Sequence, residues 1–175
     1  DTSEWLLALV GTHTDPASDE LVASPDARRF ERVPLPTRPS GAHVVGMARA
    51  GATLALALSD GPVMISGDAG ATWAACDSLE DAQQVWLARE HGAIVLYASL
   101  FHEASDRGQL VRLPIDGEPR VVLDVAYETR VRRLGGPGDP DGDGRIHDLA
   151  IDADAQRTVL WVATGVGLFR VEAER

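Results

Sequence analysis

The sequence predicts an all-β chain built from repeated antiparallel sheets, and three observations carry that prediction. Apolar residues come in runs of four to seven bounded by Gly, Pro, Asp and Ser, which is a strand pattern rather than a helical one. Runs of the same kind recur along the chain. The composition is that of about one globular domain, with 175 residues of which 45% are apolar and 25% charged. A chain of that size buries roughly 70% of its unfolded surface.

In order, the predicted strands are Trp5–Val10, Glu20–Ser24, Phe30–Leu35, His43–Ala48, Thr53–Leu58, Pro62–Ser66 and Thr72–Cys76, followed by Gln84–Ala88, Ala93–Leu100, Gln109–Leu113, Pro119–Asp124, Arg145–Ile151, Thr158–Thr164 and Gly167–Glu172. One stretch has a second reading. Ser78 to Arg89, with Leu79, Ala82, Val85 and Trp86, fits one face of a helix, although Gln84 to Ala88 suits a strand equally.

Four of the runs look like one strand of successive units: Leu6–Val10, Leu54–Leu58, Ile94–Ala98 and Val159–Ala163. Their starts are 48, 40 and 65 residues apart, the last interval stretched by the Gly-Pro-Asp segment from Leu134 to Gly144. After three of them a turn and a second strand follow, at Asp60–Ser66, Asp106–Arg112 and Gly165–Arg170. A unit of about 40 residues with four short strands is the size of one β-propeller blade, and stacking blades buries the faces that a lone sheet leaves wet. The expected architecture is therefore a β-propeller of four-stranded antiparallel blades, with about three to four blades present. As a single segment over 1–175, its blades are placed at 1–40, 41–80, 81–128 and 144–175, with an acidic insertion at 129–143.

Ser66-Gly67-Asp68-Ala69-Gly70-Ala71-Thr72-Trp73 resembles the Asp box, S-x-D-x-G-x-T-W, of BNR-repeat β-propellers. The chemistry suits a hairpin between a blade's third and fourth strands. Ser66 and Asp68 hydrogen-bond the turn backbone, Gly70 takes positive φ, and the Trp73 ring packs between blades. Ser24 to Phe30 looks like a degenerate copy, one residue shorter, with Arg28 for the glycine and Phe30 for the tryptophan; the turn at Pro114 to Gly117 keeps only Asp and Gly. The resemblance implies a structural role for Ser66, Asp68, Gly70 and Trp73 on the outer rim, not a catalytic one.

The first unit begins at what looks like a second strand and the last stops at a third. That predicts consecutive blades of a larger ring, completed by the same or another chain, with a freestanding four-bladed ring as the alternative. A partial ring exposes apolar surface and should associate with itself or with another chain. The chain starts at Asp1 without a basic stretch before an apolar one, as a processed chain or an excised segment would.

Some functions are excluded by composition. With 27 Asp and Glu against 16 basic residues the net charge is -11, and all the basic residues are arginine. Nucleic acid and anionic membranes are therefore not expected as partners. No apolar run approaches the roughly 18 residues of a membrane-spanning helix. One cysteine, Cys76, excludes an internal disulfide and multi-cysteine zinc sites. His13, His43, His91, His102 and His147 lack metal-binding spacing.

BNR propellers include sialidases, and that resemblance implies an Arg-Ile/Leu-Pro motif, an arginine triad for the substrate carboxylate, and a Tyr-Glu pair. Arg112-Leu113-Pro114 matches the first in letters but follows the Asp box, whereas in that family it precedes them. Tyr127 and Glu128 are chain neighbours, which on a strand face opposite sides. The paired carboxylates of xyloglucanase-like propellers need two propellers, for which this chain is too short.

One segment has metal chemistry of its own. From Asp139 to Asp143 carboxylates alternate, with Gly144 next, and such spacing gathers hard oxygen ligands around Ca²⁺. The segment resembles the D-x-D-x-D-G loops of integrin-type propellers, except that the fourth carboxylate, Asp148, falls one residue late. The expected ligands are Asp139, Asp141, Asp143, Asp148 and the Arg145 carbonyl.

The function expected is a non-catalytic binding or scaffold module for a protein or glycan ligand, secreted or in the cell envelope. A sialidase-like glycoside hydrolase is the alternative, and an assembly factor like those of photosynthetic complexes a third.

Overall fold

The computed structural model describes residues 6–12, 15–126, 144–153 and 157–173. Among them are fourteen strands and one short 3-10 turn at Glu103–Ser105, with no α-helix. The strands form four antiparallel sheets. The first is β1 (Leu6–Thr12), β2 (Asp15–Ser24) and β3 (Glu31–Val33), in that order. The second runs β4 (Val44–Ala50), β5 (Thr53–Leu58), β6 (Pro62–Ser66) and β7 (Ala74–Glu80). The third holds β8 (Gln84–Glu90), β9 (Ala93–His102), β10 (Arg107–Pro114) and β11 (Arg120–Ala126), and the fourth β12 (Ile146–Ala153), β13 (Thr158–Thr164) and β14 (Gly167–Ala173).

Every predicted strand has a counterpart, and the displaced boundaries have physical causes. β3 stops at Val33 because Pro34 and Pro36 have no N–H to continue the ladder. β7 runs on to Glu80 through Asp77, Ser78 and Glu80, polar residues suited to the exposed edge of a sheet. The helical reading of Ser78 to Arg89 fails at Asp81, whose φ of 57° breaks the chain between β7 and β8.

The chain divides into two compact units, Asp1–Leu87 and Ala88–Arg175. In the first, Leu21, Leu56, Leu58 and Met64 form a buried cluster, with Leu7, Leu9, Val33, Leu35, Met47 and Trp73 packed against it. From Leu54 to Leu58 β5 is buried at every residue, so both its faces are covered. That is why the sequence shows a continuous apolar run there and no alternation. The second unit repeats this in β9, buried from Val95 to Ser99, and in β13, where Leu160 and Val162 are fully buried. Gly108 in β10 permits a close approach, since a Cβ there would overlap the Gly144 carbonyl oxygen at the entry to β12.

Candidate functional site

Two arrangements carry chemistry, and the first is the hairpin between β6 and β7. Ser66 is buried at the end of β6, and its Oγ donates to Asp68 Oδ1 at 2.8 Å and accepts the Gly70 N–H at 2.8 Å. Asp68 accepts the Thr72 N–H at 2.8 Å and the Thr72 hydroxyl at 2.6 Å. The Thr72 hydroxyl, the Thr72 N–H and the Ser66 hydroxyl together hold the Asp68 carboxyl at about 2, well below the ordinary carboxylate range. Gly70 has a φ of 92°, and a Cβ there would overlap Val33 Cγ1. Trp73 is partly buried and donates its indole N–H to the Pro34 carbonyl at 2.9 Å. The hairpin is thereby tied to the end of β3. Every polar group of Ser66 and Asp68 named here is engaged within the turn, so the arrangement holds a hairpin and offers no free acid or base.

The turn between β2 and β3 has the same wiring. Ser24 Oγ donates to Asp26 Oδ1 at 3.2 Å, and that oxygen accepts the N–H groups of Arg28 and Arg29 at 2.9 and 3.1 Å. Those two N–H groups lower the Asp26 pKa. Beside this hairpin a groove of about 360 Å³ runs between Asp19–Leu21 and Arg32–Leu35. Asp19 within it is paired with Arg38 at 2.7 Å, both side chains largely buried.

The second arrangement was not foreseen from the sequence. Glu90 ends β8 with its side chain 2% exposed, Tyr97 sits mid-β9, and Arg112 lies opposite Tyr97 in β10. The Tyr97 hydroxyl donates to Glu90 Oε1, and Arg112 donates to Glu90 Oε2 from Nε at 3.1 Å and Nη2 at 2.6 Å. Burial, then the hydrogen bond and charge of Glu90, raise the Tyr97 pKa above the ordinary phenol value. Burial alone would lower the Arg112 pKa, but its hydrogen bonds and ion pair with Glu90 outweigh this and raise it. The signal that could have found the cluster is Arg112 itself, a charge inside the apolar run Leu110 to Leu113 that needs a buried partner.

Tyr127 and Glu128, and the calcium candidates Asp139, Asp141 and Asp143, lie outside the described residues. Arg145 and Asp148 are described. The Arg145 carbonyl accepts the Gly165 N–H at 3.0 Å, and the Arg145 guanidinium stacks on Phe101 at 4.2 Å. Asp148 is exposed on β12, and its Oδ1 accepts the Leu149 N–H at 2.8 Å.

Comparison with solved structures places the fold. A sialidase from Trypanosoma rangeli, in complex with 2,3-difluorosialic acid, aligns with 98% of this chain at a TM-score of 0.53 and 13% identity. Sqt1 from Saccharomyces cerevisiae aligns with 98% at a TM-score of 0.54 and 10% identity. The chain is a partial β-propeller. It spans 29% of the sialidase chain and 45% of the Sqt1 chain. No protein-family model and no curated protein matches it.

Proposed function

We propose that this partial propeller is a non-catalytic binding or scaffold module of an exported protein, taking a protein or glycan ligand. The observation that carries the reading is the state of Arg112. A sialidase-type arginine must present its guanidinium to a substrate carboxylate, whereas this one is spent on buried Glu90. Tyr97 is fully buried and its pKa is raised, the opposite of what an accessible phenolic nucleophile requires. The alternative, a sialidase-like glycoside hydrolase, is favoured by the meeting of Glu, Tyr and Arg in one cluster and by the sialidase among the structural neighbours. A fluorogenic sialoside distinguishes them. No turnover is expected, and turnover that disappears in a folded Arg112→Lys variant would replace the module reading with the hydrolase.

The same reading includes one calcium ion held by Asp139, Asp141, Asp143 and Asp148 with the Arg145 carbonyl. Its support is the spacing of the carboxylates, which repel one another without a cation. At free calcium a hundredfold above the dissociation constant, binding stabilises the fold by about 2.7 kcal/mol. Calcium should raise the melting temperature by several degrees, chelator should reverse this, and Asp141→Ala with Asp143→Ala should abolish it. A calorimetric titration without heat of binding would remove the ion from the proposal.

A further inference from the structure

The fourth sheet repeats the first three strands of the second. Both first strands carry the same irregularity, with the register shifting between Val44 and Gly46 in β4 and between Ile146 and Asp148 in β12. After each second strand an N–H donates to the carbonyl just before the first strand, Ser59 to His43 at 2.9 Å and Gly165 to Arg145 at 3.0 Å. Strands β12, β13 and β14 therefore hold the places of β4, β5 and β6. In the second sheet β6 is flanked by β7, and in the third sheet β10 is flanked by β11, both antiparallel. Among the described residues no strand flanks β14 on that side.

Burial of the third strands differs accordingly. Val63 of β6 and Leu110 of β10 are fully buried, opposite Cys76 of β7 and Leu123 of β11. On β14, Phe169 and Val171 lie opposite the fully buried Val162 and Leu160 and are themselves only half-buried. Elsewhere in the chain a fourth strand covers that flank. β14 offers seven residues without proline, and one side of its backbone has no ladder. Such an edge is a template for pairing with another strand. Its length matches that of β7 and β11, seven residues each.

We infer that the outer edge of β14 is a peptide-binding site, taking an extended segment of another polypeptide as an antiparallel fourth strand. Backbone hydrogen bonds supply the affinity and alternate side chains the specificity. The segment has no proline, and it is apolar at the positions that meet Phe169 and Val171, as Leu123 of β11 meets Leu110. On the opposite face Arg170 and Glu172 already pair with each other at 2.7 Å, so no charge is demanded there. The inference rests on the reading of the chain as a binding module and makes its ligand a protein. Because the test measures peptide binding and not turnover, the two can fail separately.

The probe is a synthetic peptide with the sequence of β11, Arg120–Ala126, and the receptor is the full chain. In the isolated chain, hydrogen exchange should be fast at the β14 amides that face away from β13. The peptide should slow them by at least about tenfold and leave the amides of β6 and β10 unchanged. Anisotropy of the labelled peptide should show saturable binding. A peptide carrying Val121→Pro with Val122→Pro should bind at least about tenfold more weakly, because adjacent prolines remove a donor whichever of them faces the edge. Val171→Asp in the chain should weaken the original peptide similarly. Should that variant fail to fold, as judged by circular dichroism, the proline peptide against the wild-type chain decides. Absence of saturable binding, equal binding of the proline peptide, or protection arising at β1, β7 or β11 instead of β14 would each overturn the assignment. So would β14 outer amides already protected in the isolated chain, since the chain's own residues would then fill the edge.

Discussion

The hairpins at Ser24–Phe30 and Ser66–Trp73 share a buried serine and an aspartate that accepts backbone N–H groups, and they differ in what lies beyond that pair. In the first, Phe30 is 47% exposed. In the second, Gly70 lets the turn lie against Val33, and Trp73 reaches the Pro34 carbonyl. The Ser-x-Asp pair is thus sufficient to shape a turn, because its hydrogen bonds are satisfied within a few residues. Docking that turn on a neighbouring sheet takes the glycine and the tryptophan, which act over a span of 39 residues.

Removing the aromatic side chains should separate the two hairpins most. Trp73→Ala is expected to cost about 3 kcal/mol, the low end for a large aromatic because the ring is only partly buried. Phe30→Ala should stay within about 0.5 kcal/mol, as for exposed positions generally. Urea unfolding of both variants measures the gap, and equal midpoints would mean that Trp73 does not couple the sheets.

The glycine gives the next largest effect. Gly70→Ala places a Cβ on Val33 and holds alanine at a φ of 92°, and should destabilise by about 2 kcal/mol. Gly67→Ala, between Ser66 and Asp68 on the chain and with nothing within 4 Å of its Cβ, is the control. A Gly70→Ala variant as stable as the control would show that Val33 can yield without cost.

The smallest difference is in acid. Both Asp26 and Asp68 are depressed by hydrogen bonds that favour the ionised form, and Asp68 reaches about 2. A carboxyl whose folded pKa lies below its unfolded value contributes stability above the unfolded value, about 3.9, and loses it as pH falls toward the folded value. The Ser66 hairpin should therefore keep its carboxylate down to about pH 2, and carbon-detected NMR titration of Asp68 reads this directly. A titration midpoint near 4 would mean the Thr72 and Ser66 hydrogen bonds are not held in solution.

Much of the fold is legible in the residues because it is local. Continuous runs such as Leu54–Leu58 announce strands covered on both faces, and Ser66, Asp68 and Thr72 define their own turn. The extension of β2 back to Asp15 was not legible, since Asp15 to Asp19 carries turn-forming residues and is a strand only by pairing with β1. The Glu90–Tyr97–Arg112 cluster escaped for a related reason. Its members are separated by 7 and 15 positions and meet only when β8, β9 and β10 lie side by side.

By itself the sequence determined the all-β class, the order of the strands, and the hairpin whose hydrogen bonds close within eight residues, because period, turn chemistry and short-range bonding are properties of neighbouring positions. Only the tertiary structure decided that Arg112 is consumed by a buried glutamate, that Trp73 meets Pro34, and that Trp161 remains on an open face. Those outcomes depend on strand register and on which sheet lies against which. Non-local pairing fixes both, and no stretch of adjacent residues encodes it.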